Sequence, residues 1–151
     1  MLLVGWGKGA KQIAYLGVYK CSNCKNYSHF HLYELANKIK LYFIQVAKFN
    51  KKYIIACETC EAGHEIDEET KNNLLQISVE IPNRDGFIEI WNYIDERLIA
   101  RIKNQNNLDE KWFEHIINET RDVFCKRFNI SQINHVIKKY AEFFQDEDKP
   151  K

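Results

Sequence analysis

The spacing of apolar residues along the chain changes near Ile66. Beyond this residue, apolar side chains recur every three or four positions, which is the pattern of amphipathic helices that bury one face. Before it, short runs of β-branched and aromatic residues predict strands. We therefore predict an α+β fold, with a small antiparallel sheet in residues 1–66 and a helical domain of three to four helices in residues 67–151.

The helical part contains several residues that can cap a helix. Asp67 precedes Glu68 and Glu69, and this acidic start predicts a first helix that ends near Val79. The turn-forming residues 82–86 then interrupt the pattern. Three more apolar stripes follow, over 87–102, over 112–124 after a cap at Asp109, and over 133–144 after a cap at Ser131.

The N-terminal part contains two runs that predict strands leading into cysteine pairs. Residues 12–19 and 53–56 are β-prone, and each run ends just before the first cysteine of a Cys-x-x-Cys pair. Residues 29–35 alternate less clearly between apolar and polar side chains. We predict a strand there, with a short helix as the alternative.

The charge of the whole chain is nearly balanced. The chain has 151 residues, of which 22 are basic and 21 acidic, so its formal net charge is +1. Such a chain has no general attraction for nucleic acid or for an anionic membrane, and any charged binding patch must be local. The most apolar stretch, residues 41–56, contains three lysines and therefore does not predict a membrane span. The start of the sequence lacks the basic residues of a secretory signal, so we expect a cytoplasmic protein.

The cysteines carry the strongest chemical signal. The chain has five cysteines. An odd number of cysteines without a secretory signal favours a reducing compartment, where paired cysteines bind metal. Cys21 and Cys24 form one pair, and Cys57 and Cys60 form the other, with 32 residues between the pairs. These four thiols predict one structural Zn²⁺ in a closed tetrahedral site that leaves no position open for catalysis. Cys125 lies on an apolar helical stripe, and we expect it to be buried and inert.

Other interpretations of these residues remain open from the sequence. Soft thiolates also suit iron, and one Cys-x-x-Cys pair alone could be a redox couple. His64 lies four residues after Cys60 and could replace a cysteine as a ligand. His29 and His31 would share one face of a strand and could bind a second metal, although surface histidines are the simpler interpretation.

The N-terminal part, over residues 3–66, resembles a zinc-ribbon family. Its members open with Gly-Trp-Gly and carry an aromatic strand between two Cys-x-x-Cys knuckles, and the matching segments here are 5–7, 18–26, 41–46 and 51–60. Gln45 and Glu58 depart from the family pattern, because proline is common at both positions. The resemblance implies no biochemical activity and implies that the zinc ligands are Cys21, Cys24, Cys57 and Cys60. The helical part carries no such resemblance.

Two functions follow from these features as predictions. The first is a protein-interaction or adaptor module, in which the helical region binds a protein partner or self-associates. The alternative is nucleic-acid binding. The candidate contact residues for nucleic acid or a partner are Lys48, Lys51, Lys52, Tyr42, Phe43 and Phe49. The sequence shows no phosphate-binding loop, no HExxH motif and no Ser-His-Asp order, so we expect no enzymatic activity.

Overall fold

The computed structural model describes residues 4–41, 44–104 and 110–147, and the side chains of residues 9–37, 50–103 and 111–145. The predicted α+β fold is confirmed in these ranges. The strands are β1 (Val4–Lys20), β2 (Tyr27–Leu41), β3 (Ile44–Cys57) and β4 (Gly63–Ile66). The helices are α1 (Glu68–Ser78), α2 (Arg84–Asn104), α3 (Glu110–Phe124) and α4 (Ile130–Glu147). The chain divides into two compact units, Met1–Ser78 and Val79–Lys151.

The first unit is built on an antiparallel sheet in the order β1-β2-β3-β4. Lys20 at the end of β1 lies opposite Tyr27, and Phe30 in β2 lies opposite Cys57 at the end of β3. Both cysteine pairs therefore follow strand ends at the same end of the sheet. The register of β1 and β2 shifts at two places, and Gly17, at φ 97°, lies at the second shift, where its lack of a side chain permits this backbone conformation.

The core of the first unit lies on one face of the sheet. Leu16, Leu32 and Tyr53 are buried there, and Leu74 and Leu75 of α1 pack against them. The sequence divides the chain near Ile66, whereas the compact unit in the structure extends through α1 to Ser78. The reason is that the apolar side chains of α1 cover the sheet.

The second unit has its own core, formed by α2, α3 and α4. All three helices contribute to its most deeply buried side chains, which include Phe87, Ile90, Thr120, Ile133, Val136 and Tyr140. The Tyr140 hydroxyl donates a 2.8 Å hydrogen bond to Asp95, which satisfies the polar end of this buried ring. No helix in the described ranges is long and apolar enough to cross a membrane.

The ends of the helices agree only in part with the predicted caps. Asp67 caps α1 as predicted, because its carboxylate accepts a 2.7 Å hydrogen bond from the Thr70 amide. α2 begins within the segment that we predicted as a break, since Asn83 caps it by accepting from the Gly86 amide at 2.8 Å.

The cap predicted for α4 at Ser131 is wrong. Asn129 accepts from the Gln132 amide at 2.8 Å, and Gln132 accepts from the Asn129 amide at 3.2 Å. This reciprocal pair places the helix start before Ser131. The cap predicted at Asp109 lies outside the described residues.

Candidate metal centre

The first cysteine pair lies in a tight turn between β1 and β2. The Lys25 amide donates to the Cys21 carbonyl at 2.9 Å, and the Cys21 amide donates to the Asn26 carbonyl at 2.9 Å. Lys25 has a φ of 62°, which turns the chain sharply directly after Cys24. The backbone thus folds around the two sulfur atoms.

The second pair repeats this turn after β3. The Glu61 amide donates to the Cys57 carbonyl at 3.0 Å, the Cys57 amide donates to the Ala62 carbonyl at 3.0 Å, and Glu61 has a φ of 56°. The residue with positive φ directly follows Cys60, as Lys25 directly follows its own cysteine pair. The chain therefore builds the same knuckle twice.

The two knuckles bring four sulfur atoms into one cluster. The Sγ atoms of Cys21, Cys24, Cys57 and Cys60 all lie within 4.8 Å of one another. The Cys21 and Cys60 sulfurs are 3.7 Å apart. Four sulfurs at about 2.3 Å from a tetrahedral zinc would be ~3.8 Å apart, so the spacing of the thiols fits a zinc ion. The four cysteines are positioned to bind one zinc ion.

Hydrogen-bond donors surround the sulfur of Cys57. Burial raises the pKa of this thiol, but the Ser28 hydroxyl and the backbone amides of Cys60 and Thr59 donate to its sulfur and together lower its pKa to about 6. The side-chain amide of Asn23, 3.5 Å from the Cys60 sulfur, likewise lowers the pKa of Cys60. These contacts favour the thiolate, which is the form that binds metal.

The pKa of the Cys24 thiol shifts in the opposite direction, upward. The Asn26 amide lowers its pKa, but desolvation and hydrogen bonds with Cys21, Cys60 and Cys57 outweigh that contact and raise the pKa to about 11. Four thiols this close cannot all lose their protons unless a cation balances the charge. A bound Zn²⁺ supplies that charge and deprotonates its ligands.

Two polar contacts join β2 to the second knuckle. His31, 4% exposed, places Nε2 2.9 Å from the Glu58 carboxylate. The Glu58 amide also donates to the His29 carbonyl at 2.9 Å. Proline at this position could not donate that hydrogen bond, which gives a structural reason for the departure from the family pattern.

The other histidines do not join the cysteine cluster. His29 Nδ1 lies 2.7 Å from the Tyr15 hydroxyl, so its partner is a side chain of the sheet. His31 is buried, and its interpretation as a surface residue was wrong. His64 is exposed on β4, and the metal-ligating cluster in the described part of the chain contains the four cysteines alone.

The prediction that Cys125 is buried was also wrong. This cysteine is exposed, and its sulfur lies 3.3 Å from the Asp122 carbonyl. The preceding residue, Phe124, is 4% exposed and fills the core of the second unit. Cys125 is the first residue after the end of α3, and its side chain is exposed to solvent.

The proposed basic patch is described only in part. The Lys51 ammonium lies 3.8 Å from the Glu34 carboxylate, and the Lys52 ammonium lies 2.7 Å from that of Glu65. These acidic partners lower the positive potential at both lysines. Tyr42 and Phe43 lie outside the described residues, as do the side chains of Lys48 and Phe49.

A groove of about 800 Å³ lies in the first unit, beside these lysines. All four strands contribute to it. Its lining residues are Gly9, Ala10, Leu35, Ala36, Asn37, Asn50, Lys51, Lys52 and Glu65. Most of the lining is small or uncharged, and the charged residues come from β3 and β4.

Comparison with known proteins agrees with the geometry of the site. A model of a zinc-ribbon family matches residues 19–128. The match thus includes the two knuckles and continues into the helical part, beyond the 3–66 range of the resemblance found in the sequence. No curated protein and no solved structure matches the chain.

Proposed function

Because the chain belongs to a zinc-ribbon family and its paired cysteines are positioned to bind one zinc ion, we propose that it is a structural-zinc protein that acts as a protein-interaction module. Four thiolates fill a tetrahedral coordination sphere, so the metal stabilises the fold and has no catalytic role. The protein works in a reducing compartment, the cytoplasm, where these thiols stay available for metal.

The proposed role in protein interaction is supported mainly by the groove in the first unit. Its volume of about 800 Å³ is large enough for an extended peptide segment. Gly9, Ala10 and Ala36 contribute little side-chain bulk, so a partner can approach the strands closely. Leu35 adds an apolar contact, and Asn37 adds donors and acceptors for a peptide backbone. The ligand class is therefore an extended segment of a partner protein.

The charges around the groove favour a protein ligand over a nucleic-acid ligand. Single-stranded nucleic acid binds to grooves that combine unpaired cations with aromatic rings on which bases stack. Here Lys51 and Lys52 each lie within 4.0 Å of a carboxylate, at 3.8 Å and 2.7 Å. The net charge of +1 adds little attraction for phosphate.

Filling the groove tests this proposal. Ala10 is exposed and lines the groove, so Ala10→Trp should block entry of a partner without disturbing the core. The partner is first identified by photo-crosslinking from position 10 and is then titrated as a purified protein. We expect its affinity to fall at least tenfold, about 1.4 kcal/mol, in Ala10→Trp. The matched control is Ala100→Trp, at an exposed position of α2 in the second unit.

Three results would contradict the groove as the binding site. In the first, both tryptophan variants bind the purified partner as tightly as the wild type. In the second, the crosslinked species is nucleic acid, and its affinity falls steeply with added salt as phosphate contacts require. In the third, only Ala100→Trp loses binding or disrupts a dimer, which would assign the interaction to the helical unit.

A further inference from the structure

The outer strand of the sheet, β1, has a long regular edge. The strand order β1-β2-β3-β4 places β1 at the margin of the sheet, where β2 is its partner among the described strands. Over residues 4–12 the register with β2 is unbroken, from Val4 opposite Leu41 to Gln12 opposite Tyr33. The two register shifts of β1 come only after Gln12. Residues 4–12 therefore offer a straight edge to which a further strand can pair.

The backbone groups on this edge favour a polypeptide as the ligand. In an antiparallel pair, every second residue of a strand directs its N–H and C=O groups away from the partner strand. Over residues 4–12 these groups point outward from β2, and an extended peptide supplies a donor and an acceptor for each of them. The backbone of DNA offers phosphate acceptors but no N–H donors, so it matches this edge less well.

The same edge is accessible and lies next to the groove. Ala10, Lys11 and Gln12 are exposed, whereas the core that β1 shares with α1 begins after them and is centred on Leu16. Gly9 and Ala10 also line the groove of about 800 Å³. One extended segment can therefore contact the groove and pair with the edge of β1.

The half of the sheet that contains this edge is strongly basic. It comprises residues 4–11, 34–41 and 44–52, which the strand pairing places side by side. Its seven basic residues are Lys8, Lys11, Lys38, Lys40, Lys48, Lys51 and Lys52. Its acidic residue is Glu34, and Glu65 of β4 pairs with Lys52. The local charge is thus +5, and the remainder of the chain carries −4.

The strand register adds a second sign that an anionic partner belongs here. Lys38 of β2 lies directly opposite Lys48 of β3. Like charges at directly opposite positions of two strands destabilise a sheet. A partner with negative charge beside these positions would offset that repulsion.

We propose that an extended acidic segment of the partner protein adds as a further strand along residues 4–12 of β1. This proposal rests on the proposed function, because it names the chemistry of the segment that reaches the groove. Main-chain hydrogen bonds would hold the segment, and its acidic residues would match the local charge of +5. A second copy of this chain fits less well, since pairing through the same edge would bring two basic halves together.

The first test is the binding of model peptides to the full-length chain loaded with zinc. A peptide of about ten residues that alternates glutamate and valine combines negative charge with strand propensity. Its fully N-methylated form keeps the charge but has no amide donor, and the lysine-valine peptide keeps the amides but reverses the charge. We expect each of these two controls to bind roughly tenfold more weakly, or worse.

Amide exchange then locates the added strand. When the glutamate-valine peptide binds, we expect every second amide of residues 4–12 to gain protection, because these N–H groups point away from β2. Lys8→Glu combined with Lys11→Glu should weaken the peptide by roughly tenfold, since two attractions become repulsions. The matched control is Lys126→Glu combined with Lys138→Glu, which changes two exposed lysines of the second unit and should bind the peptide like the wild type.

The outcomes separate the added strand from the groove itself. Equal binding of the N-methylated peptide, or no gain of protection in residues 4–12, would overturn the added strand, while loss of the crosslinked partner in Ala10→Trp would still support the groove. A dimer that protects these amides without peptide, or a thymidine oligonucleotide that displaces the peptide, would also overturn it. A protected edge with a partner insensitive to Ala10→Trp would contradict the groove alone.

Discussion

Replacement of Cys57 by serine should abolish stable zinc binding and unfold the first unit. Cys57 is 1% exposed, ends β3 and contributes one of the four clustered sulfurs. Structural zinc in small peptides supplies an apparent binding free energy of roughly 10–16 kcal/mol at neutral pH, which exceeds the stability of most small domains. The buried centre of the sheet core consists of Leu16, Leu32 and Tyr53, so little else can replace that contribution.

Zinc content per chain and backbone amide exchange measure this result. We expect zinc to fall from one per chain to near zero, and we expect the amides of β1 to β3 to lose their protection from exchange. Cys125→Ser is the matched control, because Cys125 is exposed and lies outside the sulfur cluster. A Cys57→Ser chain that keeps its zinc and the protection of its sheet would contradict the role assigned to the cluster.

Truncation of Phe87 should destabilise the second unit by about 3–5 kcal/mol. Phe87 is 1% exposed, stacks on Trp91 with ring centroids 5.8 Å apart, and meets the edge of His135 at 6.4 Å. Phe87→Ala removes these contacts and leaves a cavity that the surrounding helices can fill only in part. Denaturant unfolding followed by tryptophan fluorescence measures the loss, because Trp91, one of the three tryptophans of the chain, lies beside the substituted ring.

The control for this variant is another phenylalanine. Phe144 on α4 is 38% exposed, so Phe144→Ala should cost far less than Phe87→Ala. Zinc content should stay at one per chain in both variants, since the ligands and the core beneath them belong to the first unit. Equal losses of stability in the two variants would contradict the core that the structure assigns to the helical unit.

Some features were predictable because a short segment determines them. The two Cys-x-x-Cys pairs specify four sulfur ligands by their spacing alone, and the structure brings all four together. The helix α1 was also predictable, because Asp67 and the acidic residues after it form a local start signal. In both cases the residues that determine the feature lie within a few positions of one another in the sequence.

Other features depend on contacts between distant residues, and the sequence pattern missed them. Strand β4 has four residues, too few to show an alternating pattern, and it forms because it pairs with β3. Ser131 and Asn129 are both able to cap a helix, and the reciprocal bond to Gln132 decides between them. The apolar stripe of the sequence includes Cys125, but α3 ends at Phe124 and Cys125 lies exposed directly after it.

The surroundings of the metal site were the least predictable part. Ser28 carries no motif, and only the folding of the sheet brings its hydroxyl to 2.8 Å from the hydroxyl of Thr59, which lies between the cysteines of the second knuckle. The same holds for the carboxylates beside Lys51 and Lys52, which come from other strands. A basic run read from the sequence alone therefore overstates the free positive charge.

X-ray absorption at the zinc edge of the purified wild-type chain tests the central claim most directly. A site made by Cys21, Cys24, Cys57 and Cys60 predicts one zinc per chain with four sulfur neighbours at about 2.3 Å and no nitrogen or oxygen ligand. A nitrogen neighbour at about 2.0–2.1 Å in place of one sulfur, or a folded chain without zinc, would contradict a closed site of four thiolates.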